Sequence, residues 1–466
     1  MNRVIEIVRS SDKQYIFRIA KFCQTNRKGC NSAMKIHNTK ELKHLAERRR
    51  RVAEAIGLRD EILLIGAGDP IPLPEGTDQT YPFYAHPEYY YLTGIDSPGG
   101  VLAFDPRQRS SKRWVSFVPG VTEAEKMWEG RTQLAGTSLP RLEPWLGARR
   151  GRPIINLGAP LRGVRSDESD VARTREQFTH VRRAKDEVEL SLLRRAAAAT
   201  AKGFSAIRRH IRAGVSERAL QAELEAEFFR NDADGVGYST IVGSGPNAAV
   251  MHFSPSPRKI RRGEFVLIDA GARVDRYVID VTRTFVAGRK PTHFQRDLFN
   301  LVLEAERNSI SRCVPSAEWK ELHLKAAIEM TDGLIELKLM NGNAESLVEQ
   351  GAHTLFFPHG LGHLVGLGVR DASGRHPGRQ KDETPALRNL RMDLPLAVGY
   401  VTTVEPGLYF IPAILNDAKR RRQYRQSVNW DRVDHYIGCG GVRIEDNVLV
   451  TKNGPEVLTA SIPTDW

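Results

Sequence analysis

Apolar residues recur near helical spacing at Leu42, Leu45, Val52 and Ile56, which predicts a helix over residues 41–56. From residue 60 to about 157 the pattern changes to short apolar runs bounded by Gly, Pro and Asp, as in EILLI (61–65) and GVLAF (100–104). Such runs predict strands and turns. Between them lies an aromatic cluster, Tyr81-Pro82-Phe83-Tyr84 and Tyr89-Tyr90-Tyr91. Residues 162–175 are polar and Arg-rich and read as a linker. Beyond them, 185–213 is Ala-rich with charges on one face and meets Gly214, a long helix with a glycine stop. Another helix is expected over 216–231 with Ser216 as N-cap, its capping box incomplete because Ala219 replaces Glu or Gln. There is no internal repeat. The pattern divides the chain into an extension (1–40), a smaller α/β N-terminal domain (41–175) and a larger C-terminal domain (176–466), α+β overall.

Residues 263–285, GEFVLIDAGARVDRYVIDVTRTF, carry the most information. Two β-rich runs, 265–268 and 277–281, flank the polar break Asp275-Arg276. Asp269 and Asp280 are eleven positions apart, with their midpoint between Val274 and Asp275. A reversal there sets the two aspartates opposite one another, with Cβ atoms about 4.5–5.5 Å apart, where like charges repel. Two carboxylates in an apolar hairpin then need a proton or a cation between them. The alternative is that one aspartate is a turn or rim residue and the pair never meets. Glu405 ends the β-branched run TTVEPGL, and Glu445 lies in GVRIEDNVLV near Arg443. His359 and His363 stand four apart in PHGLGH, the spacing of a helical zinc pair, but Gly360 and Gly362 oppose a helix. One histidine is therefore expected to ligate and the other to work nearby. Four carboxylates and one imidazole make a hard donor set suited to Mn2+, Co2+ or Fe2+. Such a set can hold two ions, an arrangement that activates water for hydrolysis.

Composition narrows the partners. Charged residues at 27% and aromatics at 8% exclude wholesale disorder. No apolar run approaches the roughly 20 residues of a bilayer span, so no membrane partner is expected. The net charge of +13 points to nucleic acid until it is located: residues 1–40 carry nine Lys/Arg against Glu6 and Asp12, more than half of the excess. A second basic knot, Lys419-Arg420-Arg421-Arg422, reads as a surface loop. Neither interleaves aromatics with the cations as a base-stacking platform does, so no nucleic-acid partner is expected. The four cysteines, Cys23, Cys30, Cys313 and Cys439, form no CxxC pair, which implies free thiols in a reducing compartment. Residues 1–40 lack the apolar core of a secretory signal. A non-native or optional extension ahead of Met34 and a cytoplasmic location are expected, with a mitochondrial transit segment as the alternative.

Taken together, Asp269, Asp280, His363, Glu405 and Glu445, in the contexts IDAG, DVTRTF, HGLGH, VEPG and RIED, resemble the proline-specific metallopeptidases of the creatinase or pita-bread fold. These are the Xaa-Pro aminopeptidases (aminopeptidase P) and the Xaa-Pro dipeptidases (prolidases). The resemblance runs from about residue 40 to the C-terminus, with YYYLTGIDSP similar to that family's N-terminal domain, and RRAKDEVEL and YSTIVGSGPNAAVMHF also fitting. It implies an N-terminal α/β domain ahead of a pita-bread catalytic domain. It also implies a two-metal exopeptidase that hydrolyses the Xaa-Pro bond at peptide N-termini. An Xaa-Pro dipeptidase is the alternative, and a non-catalytic peptide-binding module is a more distant one.

Carried over by position, Asp269 binds one ion, Asp280 and Glu445 bridge both, and His363 and Glu405 bind the second. Manganese is the expected metal, with cobalt, iron or zinc as alternatives. Glu405 is implied as general base, exchanging a proton with the attacking water. His252 in VMHF and His359 would hold the substrate carbonyl, and Tyr238 and Arg443 would orient the metal carboxylates. Peptides with proline second are the implied substrates. A homodimer or homotetramer is also implied, Trp128 in EAEKMW matching a position that can reach a neighbouring subunit's site. The chemistry suits the bond: an Xaa-Pro amide has no N–H to hold, which leaves carbonyl polarisation, ring shape and the free amine.

One position departs from the family pattern HGxGHxxGxxVHD. Val369-Arg370-Asp371 puts Arg370 where a histidine contacts the proline side of the scissile bond. Arginine keeps a donor but is longer and permanently charged. It is expected either to pair with a substrate C-terminal carboxylate, favouring short peptides, or to pair with Asp371 or a neighbouring acid. The long basic stretch between Glu405 and Glu445 resembles the prolidase arrangement more closely.

Overall fold

The structure, a computed structural model, describes residues 39–76 and 79–464; the rest of the basic extension, with Met34, Cys23 and Cys30, lies outside the described residues. The chain divides into two units between Phe178 and Thr179.

The first unit is built on a five-stranded sheet in the order β4-β3-β2-β1-β5: β1 (Ile62–Gly66), β2 (Val101–Phe104), β3 (Trp114–Val118), β4 (Thr137–Ser138) and β5 (Ile154–Gly158). β1 runs parallel to β5 and antiparallel to β2. Every residue of β1 and β2 is buried, which is why both read as unbroken apolar runs rather than alternating ones. Helix α1 (Thr39–Ile56) buries Leu45, Val52 and Ile56. Between β1 and β2 the structure departs from the expected strands. Tyr89, Tyr90 and Tyr91 are buried on a helix, α2 (Pro87–Thr93). Its ends explain the outcome: His86 accepts from the Glu88 amide, Pro87 opens the first turn, and Gly94 at φ 65 closes the last. These terminal signals outweigh the strand preference of three tyrosines. The supposed linker is helical as well. Helix α3 (Glu168–Arg183) starts in an acidic turn and ends in a basic one, as the helix dipole favours.

In the second unit, α4 (Glu187–Ile207) packs on α5 (Glu217–Arg230). α4 opens with a complete capping box, Asp186 with Glu189, and ends at Ile207 in a 3-10 turn, earlier than the glycine stop predicts. Short strands β6 (Gly235–Val236), β9 (Ala272–Val274) and β10 (Tyr277–Val278) make one small sheet. Strands β7 (Ile241–Ser244), β8 (Phe265–Asp269) and β11 (Thr282–Val286) make another, in the order β11-β8-β7. Downstream, β12 (Val401–Val404) pairs with β15 (Asp446–Thr451), which also pairs with β16 (Gly454–Val457), and β13 (Gly407–Tyr409) pairs with β14 (Gly441–Arg443). Helix α6 (His293–Ser311) packs on α7 (Trp319–Glu336) and against β12, β13, β14 and β16. The core between these layers includes Phe265, Leu267, Val302, Met330, Phe356, Leu408 and Val442. The basic knot is not a loop but a short helix, Ala418–Gln423, capped by Asp417, with Arg421 paired to Asp434 and stacked 4.5 Å from the Trp430 ring. Among the described residues Cys313 and Cys439 are free thiols, and no helix is long and apolar enough to cross a membrane.

α6 brings one charged group into the core. Glu306 is 2% exposed and lies beside Asp446, which is itself paired with Arg283 at 2.8 Å. One guanidinium cannot neutralise two carboxylates. Burial first, then the charge of Asp446 and a hydrogen bond to it, push the Glu306 carboxyl up to about 9. An exposed glutamate titrates near 4.3. The folded chain thus retains a proton that the unfolded chain releases. The stability this group contributes is whole below about pH 4.3 and is lost progressively as pH rises toward about 9. Glu306→Gln keeps a donor and the shape but removes the titration. In the metal-free protein it should raise Tm by about 2–4 °C near pH 8, with the gain shrinking toward pH 5. A Tm difference that is the same at both pH values would contradict this assignment.

Candidate active site

The chain reverses one position later than the midpoint of the two aspartates predicts. Val274 pairs with Tyr277, and Asp275 and Arg276, at φ 50 and 74, form a two-residue turn between them. Positive φ at both central residues is the geometry that matches strand twist in a tight hairpin. In this register Asp269 sits opposite Thr282, not opposite Asp280. Asp280 falls level with Gly271, where the strands press so closely that a Cβ would lie 1.5 Å from the Ile279 carbonyl oxygen. The side chains of Asp269 and Asp280 nevertheless interact. Burial, then the charge of Asp269, lift Asp280 well above the usual carboxylate range.

Each acid is held by a neighbour that leaves it little freedom. Asp269 is gripped on both oxygens, by Tyr238 Oη at 2.6 Å and by Arg443 Nη2 at 2.5 Å. Arg443 is buried, and its remaining donors go to Thr282 Oγ1 and Tyr409 Oη, both at 2.9 Å. Glu445 accepts from Thr282 Oγ1 at 2.6 Å, while its own amide donates to the Thr282 carbonyl. The Asn447 side chain brackets the backbone of Asp280, accepting from its amide and donating to its carbonyl. The residue two beyond each of Asp280 and Glu445 therefore fixes the other acid. Glu405 follows β12, and its amide donates to the Leu361 carbonyl at 2.8 Å.

PHGLGH is not helical. Its two histidines are distinguished by their hydrogen bonds. His363 is tied to β12, donating from its amide to Thr403 Oγ1 and accepting the Thr403 amide on its carbonyl. That approach requires Gly362, where a Cβ would lie 2.2 Å from the Thr403 carbonyl oxygen. Nδ1 of His363 faces the Leu364 carbonyl at 3.2 Å, which leaves Nε2 to face Asp280 and Glu405, each at 3.6 Å. Burial pushes its pKa down to about 4, so the ring is neutral with a lone pair toward the acids. This is the state in which imidazole binds a metal. His359 has both ring nitrogens engaged, Nδ1 with the Gly360 carbonyl and Nε2 with Tyr409 Oη, each at 2.9 Å.

Asp280, His363 and Glu445 each present one ligand atom, all within 4.8 Å of one another. Glu405 adjoins this trio through His363, and Asp269 adjoins it through Asp280. The donor set fits a divalent ion. Among the described residues four carboxylates converge with one guanidinium bonded among them, and Asp280, Glu405 and Glu445 are lifted toward holding protons. Burial, then Asp280 and Glu405, lift Glu445 well above the usual range. Burial lifts Glu405 to about 7, against the opposing pull of Arg443. Only oxygen donors and one imidazole are offered, the chemistry of hard or borderline divalent cations.

The acids line a cavity of about 940 Å³. His252 is exposed at its wall, and so are Arg370 and Arg391. Asp371 does not pair with Arg370. It is 3% exposed and is taken by Arg182, by Lys185 at 2.9 Å and by the Leu367 amide at 2.9 Å. Despite burial, Arg182 and Lys185 hold its carboxyl down at about 2. Neither Arg370 nor Arg391 has a hydrogen bond or ion pair among the described residues, so the expected alternative of a salt bridge to Asp371 is overturned. Sequence reasoning missed Thr282, Asn447, Tyr409 and Arg391. The first two carried a signal, since each stands two residues beyond an acid, the strand period. Arg391 lies in an aperiodic stretch that offered none.

Two family descriptions match the chain: metallopeptidase family M24 over residues 191–452, and the aminopeptidase P N-terminal domain over residues 45–137. A probable Xaa-Pro aminopeptidase of Emericella nidulans is 31% identical over 434 residues, 88% of this chain and 88% of the relative. Another, of Tuber melanosporum, is 29% identical over 401 residues, 83% of this chain and 86% of the relative. Among solved structures, zinc-substituted Escherichia coli aminopeptidase P in complex with product superposes with a TM-score of 0.74. It is 27% identical, and the match covers 90% of this chain and 96% of that one.

Protons and metal compete for the same oxygens. Titrating Mn2+ into metal-free protein at about pH 7, in two buffers of different ionisation enthalpy, should show net proton release. Affinity should fall as pH is lowered toward about 5.5. Buffer-independent heats together with pH-independent affinity would show that the acids are already ionised.

Proposed function

This chain belongs to metallopeptidase family M24, and we propose that it is an Xaa-Pro aminopeptidase that acts on short peptides, with two divalent ions, manganese first, at the acid cluster. An α/β N-terminal domain precedes its pita-bread catalytic domain. The observation that carries the activity is the convergence of Asp269, Asp280, His363, Glu405 and Glu445 on one cavity inside the family match.

By the family resemblance, Asp280 and Glu445 would serve both ions, His363 and Glu405 one of them and Asp269 the other. When bound, such ions supply polarisation of the scissile carbonyl and activation of water. Glu405 takes the proton of the attacking water and passes it to the departing proline nitrogen, which has no N–H of its own. In the metal-free protein burial lifts its carboxyl to about 7. His252 stands exposed at the cavity wall to hold the carbonyl oxygen as charge develops on it. His359 reaches that oxygen only by giving up one of its two present partners. Tyr238 and Arg443 hold Asp269 in place.

Peptide length is the finer question, and the unpaired arginines address it. Arg370 and Arg391 repel one another, and both lie close enough to Glu405 to stabilise its charge. Two cations facing a cavity, neither hydrogen-bonded to an acid among the described residues, form a receptor for a carboxylate. In a tripeptide the carboxylate is that of the residue after proline. If the arginines take the carboxylate of proline itself, the same site is a dipeptidase.

Chelator-stripped protein should fail to hydrolyse Xaa-Pro-Yaa, and Mn2+ should restore cleavage. Restored cleavage of Xaa-Pro alone would move the assignment to a dipeptidase. No cleavage with metal demonstrably bound would overturn the peptidase proposal. Arg370→Ala removes a charged hydrogen bond worth about 1.5–3 kcal/mol, so kcat/KM on the free tripeptide should fall about 10- to 100-fold. On the C-terminally amidated tripeptide the loss should be much smaller. Equal losses on both peptides would mean that Arg370 does not hold the carboxylate.

A further inference from the structure

The loop that carries His252 leaves β7 at Ser244 and returns at Ser256, and both ends converge on one carboxylate. Glu217, the first residue of α5, is 0% exposed. Its Oε1 accepts from the Ser244 amide at 2.9 Å, from Ser244 Oγ at 2.7 Å and from Asn247 Nδ2 at 2.9 Å. Its Oε2 accepts from the Ser256 amide at 3.2 Å and from Ser256 Oγ at 2.6 Å. A buried carboxylate is costly unless donors surround it, and here five do. Charge reaches it at one remove: Arg258 donates to Ser244 Oγ at 2.6 Å while pairing with Glu264. Backbone bonds from Glu217 and Arg218 to the Arg258 and Ser256 carbonyls lie alongside. One oxygen holds the outgoing end of the loop and the other holds the returning end. Between them Met251, His252, Phe253 and Ser254 line the catalytic cavity, and Glu217 does not. His252 has no hydrogen bond among the described residues, so its place in the cavity comes from the loop.

We infer that Glu217 is a positioning residue that acts through the 244–256 loop to set His252 against the substrate, without touching metal or substrate. The inference rests on the Xaa-Pro hydrolysis proposed above. It differs from a general stabilising role because the effect must pass through one histidine.

The test is a double-mutant cycle of Glu217→Gln and His252→Ala on an Xaa-Pro-Yaa peptide with Mn2+. Metal content is measured alongside, and so is amide hydrogen exchange of the metal-free protein. Gln places an amide donor where one of the carboxylate oxygens accepts. Because small misplacements of catalytic groups cost up to ~100-fold, Glu217→Gln should lower kcat/KM about 10- to 100-fold. Bound metal should be unchanged and faster exchange confined to residues 245–255, and the double variant should be no slower than His252→Ala alone. Additive losses, a fall in bound metal, or an unchanged kcat/KM in a folded Glu217→Gln would each overturn the inference. Should that variant fail to fold, Ser256→Ala removes the hydroxyl at the returning end only. It should give the same pattern more weakly, and unchanged rate and exchange would overturn the proposal. A parent protein that cleaves no Xaa-Pro peptide would refute the functional assignment instead. The exchange measurement would still decide whether Glu217 fastens the loop.

Discussion

Four carboxylates converge in the catalytic unit with one buried guanidinium bonded among them, and much of the local architecture follows from that imbalance. Arg443 satisfies Asp269 directly and stands 3.9 Å from Glu445, but it forms no bond to Asp280 or Glu405. Left to itself the cluster lowers its energy by taking up protons, which is why Asp280 and Glu445 are lifted well above their ordinary range and Glu405 to about 7. A divalent cation does the same with less disruption, because it keeps the oxygens ionised and close together. The surrounding side chains resist the alternative of splaying apart. Thr282 holds Glu445, Asn447 holds the backbone of Asp280, and Tyr238 holds Asp269. Each of these bonds leaves the acid confined to the site it shares with its rivals.

The histidines show how one short motif yields two chemistries. Both rings are neutral, the buried His363 at about 4 and the partly buried His359 at about 3. Their difference lies in the second nitrogen. His363 spends Nδ1 on a carbonyl and keeps Nε2 for the acids, whereas His359 spends Nδ1 on a carbonyl and Nε2 on Tyr409. Tyr409 in turn accepts from Arg443, so His359 is linked to Asp269 through three hydrogen bonds by way of Tyr409 and Arg443.

The acids and His363, which the structure brings to one cavity, stand out in the chain because their contexts are short and local: each acid ends or interrupts a β-rich run, and two glycines exclude a helix at PHGLGH. The register of the hairpin does not. A midpoint assumes that the two acids are symmetric about the turn, but the two-residue turn at Asp275-Arg276 lies one position later, which moves the partner of Asp269 from Asp280 to Thr282. The first unit was misjudged between β1 and β2 for a related reason. Three consecutive tyrosines favour a strand as an isolated run, and the helix is decided by His86, Pro87 and Gly94 at its ends. At 168–183, charge content concealed a helix whose acidic start and basic end suit its dipole. Arg391 reaches the cavity through an aperiodic stretch, and only tertiary placement identifies it.

Arg370 and Asp371 show how adjacent, opposite charges come to serve different ends. Alternation alone would let them pair, and a solvated pair of that kind would contribute little. Instead Asp371 turns inward to Arg182 and Lys185, where burial makes each bond count, and the loop that carries Arg370 is anchored by its neighbour. Gly366 lets Lys185 pass, since a Cβ there would lie 2.5 Å from its side chain. With Asp371 spoken for, Arg370 stays charged and without an acid at the cavity wall, beside Arg391. The cavity therefore carries positive charge at this wall. On the proposed function, a short zwitterionic peptide would have its carboxylate drawn to the arginines, whereas a long peptide, whose carboxylate lies far from the proline, would gain nothing from that wall. The positive charge of the same arginines also favours the ionised form of Glu405, so this wall bears on the proposed general base as well.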